Sequence, residues 1–209
     1  TAAGGTSPYT FTYNINGGAS QTISTVSGNS VTLSVPTTTA GTYTYNLLSV
    51  QDGSSTTCSQ LQSGNATVIV NPIPDVDPVT GQVVCNGAAT SQVTFSGAVT
   101  GTVYSWNNSL PSINLPASGT GNIASFNAVN LSTAPVTATI TVTPSYTYAG
   151  ETCTGPPTSF TITVNPTAQV NQPENMTVCN GGTVSATIFT TNNTGGTTTY
   201  EWSNNNTSI

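Results

Sequence analysis

Apolar and polar residues alternate strictly over residues 135–143. Val136, Ala138, Ile140 and Val142 fall on one face and threonines on the other. Phe160, Ile162 and Val164 alternate with Thr161 and Thr163 in the same way. A period of two built from β-branched residues is the pattern of a half-buried strand. Further strands are predicted at 82–85, 91–97 and 102–107, with shorter ones at 112–115 and 122–127, each bounded by Gly, Pro, Asn or Ser. No stretch carries a helical period. About seven short strands, polar on one face, favour two packed antiparallel sheets. The expected core is Trp106, Val136, Ile140, Val142, Phe160, Ile162 and Val164. Trp106 is its anchor, since a buried indole is worth a few kcal/mol.

The chain also repeats itself. Val70-Asn71-Pro72 returns as Val164-Asn165-Pro166, and Val84-Cys85-Asn86-Gly87 returns as Val178-Cys179-Asn180-Gly181, both 94 residues on. Cys58 and Cys153 are 95 apart, and Tyr104-Ser105-Trp106 returns as Tyr200-Glu201-Trp202 after 96. This period exceeds that of solenoids and propeller blades and matches an immunoglobulin-type sandwich of about 100 residues. The expected organisation is a sandwich lacking its opening portion at 1–72, a complete one at 73–166, and the first half of a third at 167–209. The predicted fold class is therefore all-β, a tandem of immunoglobulin-like antiparallel sandwiches seen through a window onto a longer array.

Composition narrows the role. The chain has no Lys, Arg or His, six acids and a formal charge of −6. Phosphate neutralisation, which dominates nucleic-acid affinity, has no residue to perform it. Attraction to anionic membrane surfaces fails for the same reason. No apolar run approaches the roughly 20 residues of a spanning helix. No signal-peptide pattern is visible, and Thr1 reads as mid-sequence. Without His or Lys there is no histidine-based triad, Schiff base or histidine metal site. Asp52, Asp75, Asp77, Glu151, Glu174 and Glu201 show no spacing that demands a catalytic pair. No enzyme is expected.

Four cysteines in such a chain suggest an oxidising compartment. The expectation is a bridge between Cys85 and Cys153 inside the complete unit, with Cys58 and Cys179 paired outside this segment. A Cys58–Cys85 link would have to span residues 66–71, about 20 Å when extended, whereas a disulfide needs Cα atoms within about 7 Å. Closing Cys85 to Cys153 would constrain the unfolded chain by roughly 4 kcal/mol. Four free thiols are the alternative. No CxxC spacing points to metal.

The segments VCNG, YSWNNSLPSINLPASGTGNIASFNAVN, APVTATITVTPSYTYAGETCTG and SFTITVNP closely resemble the PKD-like, immunoglobulin-like repeats of very large surface adhesins of Bacteroidota, including gliding-motility adhesins and other type IX-secreted proteins. The resemblance covers 73–166 and part of both flanks. It implies a secreted, cell-surface, multi-repeat protein with no catalytic residues. Other PKD domains follow the tryptophan strand with a W-x-F-G-D-G-type segment. Here Trp106 precedes Asn107-Asn108-Ser109, so only the PKD-like branch fits.

Three weaker signals remain. Asp75 and Asp77 at the junction are a calcium candidate, set against a solvated Pro-bounded linker, and the matching positions Gln169 and Asn171 carry no carboxylate. Tyr9, Phe11, Tyr13, Tyr43 and Tyr45 read as a core face, with a sugar-stacking platform as the alternative. Asn65-Ala66-Thr67, Asn107-Asn108-Ser109, Asn130-Leu131-Ser132 and Asn175-Met176-Thr177 match the glycosylation sequon, as chance allows in so Asn-, Ser- and Thr-rich a chain.

The functional expectation is an inert extracellular stalk or adhesin array, its Pro-bearing linkers stiff and its partners the neighbouring repeats. A chain without Lys or Arg also offers trypsin-like proteases no cut site. One alternative is a self-assembling fibre or surface coat, because edge strands here lack the usual charged guards. Another is a carbohydrate-binding module of a secreted enzyme, with surface polysaccharide as partner.

Overall fold

The computed structural model describes residues 1–206; the last three residues of the expected third module, 207–209, lie outside the described residues. The regular structure of the described chain is β-strand, apart from one 3-10 turn at Pro111–Ile113. The chain divides into two compact units. One is Thr1–Ile73 with Tyr146–Cys153; the other is Pro74–Ser145 with the residues from Thr154 onward. The first division falls one residue beyond the expected cut at Pro72. No division follows Pro166.

The first unit holds β1 (Thr10–Ile15), β2 (Gln21–Ser24), β3 (Gly41–Gln51), β4 (Ser59–Leu61) and β5 (Asn65–Val70). Their order is β2-β1-β3-β4, with β5 also on β3. The buried set is small, Ala2, Tyr9 and Phe11, with Ile23, Val31, Leu47 and Val50 packed around it.

The second unit holds β6 (Gln82–Cys85), β7 (Val103–Asn108), β8 (Ser118–Thr120), β11 (Thr158–Asn165) and most of β9 (Val136–Tyr148), whose end falls in the first unit with most of β10 (Glu151–Thr154). Their order is β6-β11-β9-β7-β8, with β10 also on β9. Stripped of β6, this is the order of the first sheet: β8-β7-β9-β10 with β11 on β9. The ladders correspond over part of their length, β1 shifting register on β3 between Thr12 and Tyr13 where β7 on β9 does not. Trp106 faces Val142 as Tyr13 faces Leu47, and Val164 faces Val136 as Val70 faces Gly41. β6 has no counterpart in the first unit. It adds to β11 in parallel, Val84 beside Val164 and Cys85 beside Asn165.

Alternation decides which face is buried. Ala138, Ile140, Val142, Ile162 and Val164 are fully buried while the threonines between them are not. Trp106 and Phe160 join them, and Val136 packs half-buried at the margin. A second layer closes the core with Val93, Phe95, Ile113, Leu115, Ile123 and Ala128. This layer is not regular sheet. The expected strands at 91–97 and 122–127 meet only through the bridges Ala89–Asn127 and Val93–Ile123, because side chains take the intervening backbone groups. Phe95 N–H donates to Asn122 Oδ1, and Phe126 N–H to Thr90 Oγ1. The strand expected at 112–115 is the 3-10 turn instead. Pro111 starts it, and Asn114 ends it at φ 72°, a left-handed conformation that asparagine tolerates.

Among the described residues, those beyond Pro166 form no strand, yet they repeat contacts made 94 to 96 residues earlier. Asn171 N–H donates to Thr190 O at 2.8 Å, as Asp77 N–H does to Ser96 O. Gly182 N–H donates to Cys179 O, as Ala88 N–H does to Cys85 O. Phe189 and Tyr200 lie 5.9 Å apart, as Phe95 and Tyr104 lie 5.8 Å apart. Each pair of contacts is separated by the sequence period.

Candidate functional site

The expected Cys85–Cys153 bridge is not made; all four cysteines are free thiols. The length of β9 is the reason. The strand predicted to end at Thr143 runs on through Pro144 to Tyr148. It turns at Ala149-Gly150, both at positive φ, and returns as β10 with the Thr147 and Thr152 hydroxyls 2.8 Å apart. Cys153 therefore lies beside Tyr146. Cys85 lies level with the residue preceding β9. More than ten residues of strand separate those levels, about 33 Å, far beyond the reach of a disulfide. Cys58, Cys85 and Cys179 are exposed and Cys153 is half-buried.

Asp75 and Asp77 are both exposed and both hydrogen-bonded to the protein. Asp75 Oδ1 accepts from Ala98 N–H at 2.7 Å, and Asp77 Oδ2 accepts from the Ser96 hydroxyl at 2.6 Å. Together they pin the residues before β6 against the residues 96–98. Gly97 is required there, because a Cβ would collide with the backbone oxygen of Asp75. Burial, followed by the charges of Asp75 and Asp77, raises the Tyr104 phenol above its ordinary value, against a hydrogen bond with Thr102. Calcium takes six to eight oxygens. Among the described residues no group of three or more His, Cys, Asp or Glu gathers anywhere.

The most heavily hydrogen-bonded carboxylate is Asp52, which the sequence did not single out. It sits just after β3, and the loop to β4 folds around it. Its Oδ1 accepts from the Ser54 hydroxyl at 2.8 Å, from Cys58 N–H at 2.9 Å and from Ser54 N–H at 3.4 Å. Its Oδ2 accepts from Thr6 N–H at 3.2 Å. The Ser54 hydroxyl lowers its pKa most; burial opposes, and the N–H groups of Thr6, Cys58 and Ser54 lower it further. Asp52 borders a cleft of about 440 Å3 with Ala2, Gly4, Tyr9 and Gln60. This carboxylate has no His, Lys or Arg beside it, because the chain contains none. What the arrangement does is fix the chain entry at Thr6 to the β3–β4 loop.

One of the sequons is a structural turn. Asn130 is 5% exposed. Its amide donates to Val164 O and Ala134 O at 2.8 Å each, and its Oδ1 accepts from Ser132 N–H and the Ser132 hydroxyl. Asn108, also buried, donates to Leu115 O and accepts from Leu110 N–H. The N-x-S spacing at Asn130 is that of an asparagine side chain mimicking a backbone turn. Asn65, Asn107 and Asn175 are exposed.

Of the aromatic group, Tyr9 and Phe11 are buried. Tyr13 and Tyr45 lie 6.3 Å apart and half-buried. With Phe11, Ile23, Val31 and Leu47 they line an apolar concavity of about 230 Å3 on the core-facing side of the first sheet. Among the described residues no helix is long and apolar enough to cross a membrane. No known protein family, curated protein or solved structure matches this chain.

Proposed function

We infer that the chain is a tandem of immunoglobulin-like modules serving as an extended stalk in a secreted, cell-surface adhesin of the PKD-like kind, holding a distal region away from the cell. The observation that carries this reading is the recurrence of one strand order in both units, with similar local contacts returning after Pro166. Repetition without a gathered set of reactive side chains suits mechanical spacing better than chemistry. Lack of Lys and Arg suits exposure to trypsin-like proteases.

Pulling the chain by its ends tests the reading. Stepwise unfolding is expected, with the 73–166 module adding about 300 Å of contour at 3.3–3.6 Å per residue. One merged event for the whole chain would remove the modular stalk.

A further inference from the structure

The two cysteine types of the repeat stand far apart in the complete module, Cys85 at the end of β6 and Cys153 on β10. Each lies beside the asparagine of a Val-Asn-Pro segment. Cys85 is the register partner of Asn165, and Asn86 N–H, next along, donates to Asn165 O at 2.8 Å. Cys153 belongs to the first compact unit together with Asn71, and its Sγ lies 4.0 Å from Asn71 O. Asn71 and Asn165 are one position of the repeat, 94 residues apart. The same carbonyl is therefore approached by the Cys85 strand in one case and by Cys153 in the other.

The side chains agree on the face as well. Asn71 Nδ2 donates to Tyr148 O at 3.1 Å and to Glu151 O at 3.3 Å, which holds the β9–β10 hairpin on the side to which the Asn71 side chain projects. Register partners on neighbouring strands project from one face of a sheet, so Cys85 projects from the face that Asn165 uses. Laid over each other by the period, the two arrangements put both thiols on one side of the same asparagine, next to the same carbonyl. This chain shows one member of the pair at each asparagine, and both thiols are free.

We propose that successive modules are stapled by a disulfide across each Val-Asn-Pro junction, the Cys85-type thiol of one module joined to the Cys153-type thiol of the next. The inference rests on the tandem-array reading. Two S–H groups give up their protons and two electrons to glutathione disulfide; an S–S bond forms between the modules and two glutathione thiols leave. Cys179 repeats Cys85, and Cys58 stands 95 residues before Cys153, so the same rule assigns each of them to a neighbouring module. The bridge carries tension from module to module around the Asn71-Pro72 connector, where the two hydrogen bonds of Asn71 would otherwise hold the hairpin in place.

The full chain with residues 73–166 present twice in succession tests the bridge. The new joint reads Val164-Asn165-Pro166-Ile73, which repeats Val70-Asn71-Pro72-Ile73 of the parent chain. After oxidation with glutathione disulfide, non-reducing peptide mapping should recover Cys85 linked to Cys153. Cys85→Ser confined to the first copy should abolish the link, and the same change confined to the second copy should leave it. The parent chain, with one copy, should give no such link. Pulled by its ends, the oxidised duplicate should lose most of the contour of both copies until reductant is added. A link that forms in the parent chain, or that survives Cys85→Ser in the first copy, overturns the bridge. So does a duplicate whose thiols all stay open to alkylation. Stepwise unfolding of that unbridged duplicate would keep the array while removing the bridge, so the two readings fail separately.

Discussion

Tyr13, Trp106 and Trp202 occupy one position in three successive stretches of this chain, and their surroundings differ. Trp106 is 6% exposed and Trp202 is 73% exposed, with Tyr13 between them. Trp106 sits on β7 between β8 and β9, its indole donates to Gly121 O at 3.1 Å, and Gly119 lies beneath the ring where a Cβ would collide. Tyr13 has its two flanking strands but lacks the covering layer that Val93 and Phe95 supply to Trp106. Trp202 has neither among the described residues. The same local sequence buries its aromatic ring only when strands distant in sequence arrive. Strand pattern sets which way the ring points; the covering residues that pack on it set whether it is buried.

The largest expected effect breaks this comparison directly. Trp106→Ala should destabilise the second unit by about 3–5 kcal/mol, the usual cost of removing a large buried aromatic. Trp202→Ala should leave the monomeric chain within about 0.5 kcal/mol of its parent, as exposed substitutions do. Denaturant unfolding followed by circular dichroism measures both. Equal losses at the two sites would mean that exposure at 202 is not the state of the protein in solution.

Asn130 sharpens the comparison from the polar side. It ties the segment entering β9 to Val164 on β11, and Val35, six residues before β3 as Asn130 is six before β9, carries no side-chain amide. Asn130→Ala leaves the Val164 and Ala134 carbonyls without that donor, at about 1–3 kcal/mol. Val35→Ala, at a half-buried position, should cost clearly less. Amide exchange should show the loss of protection spreading from Val136 and Val164. A loss no greater than that of Val35→Ala would make the buried amide bonds unimportant.

How far the sequence reveals this depends on the range of the interaction. β6, β9 and β11 are legible because alternation is a local property, and β6 falls at 82–85 as the pattern predicts. The covering layer is half legible. Its apolar residues stand out, but Thr90 and Asn122 convert its strands into irregular segments by taking backbone partners, which spacing does not show. The cysteine placement is not legible because alternation over 135–143 does not show that β9 continues through Pro144 to Tyr148, which carries Cys153 away from Cys85. Asp52 was invisible for a different reason. One of its donors, Thr6, lies 46 residues away, and the others come from a loop with no periodic pattern.

The smallest expected effect separates the two units by pH. In the first unit the Ser54 hydroxyl, with the N–H groups of Thr6, Cys58 and Ser54, holds the Asp52 carboxyl below its ordinary value of 3.8. The native loop therefore binds the ionised form more tightly than the unfolded chain does. Its contribution is complete above the unfolded value and fades as pH falls through the lower native one. Asp52→Asn should flatten that acid-side decline while leaving the transition reported by the buried indole of Trp106 unchanged, since Trp106 belongs to the other unit. The Thr6 amide resonance, followed through an acid titration, reads the native value directly. A midpoint at or above the ordinary carboxylate range would mean that these four hydrogen bonds do not favour the charged form, and that Asp52 is no more than an exposed turn residue.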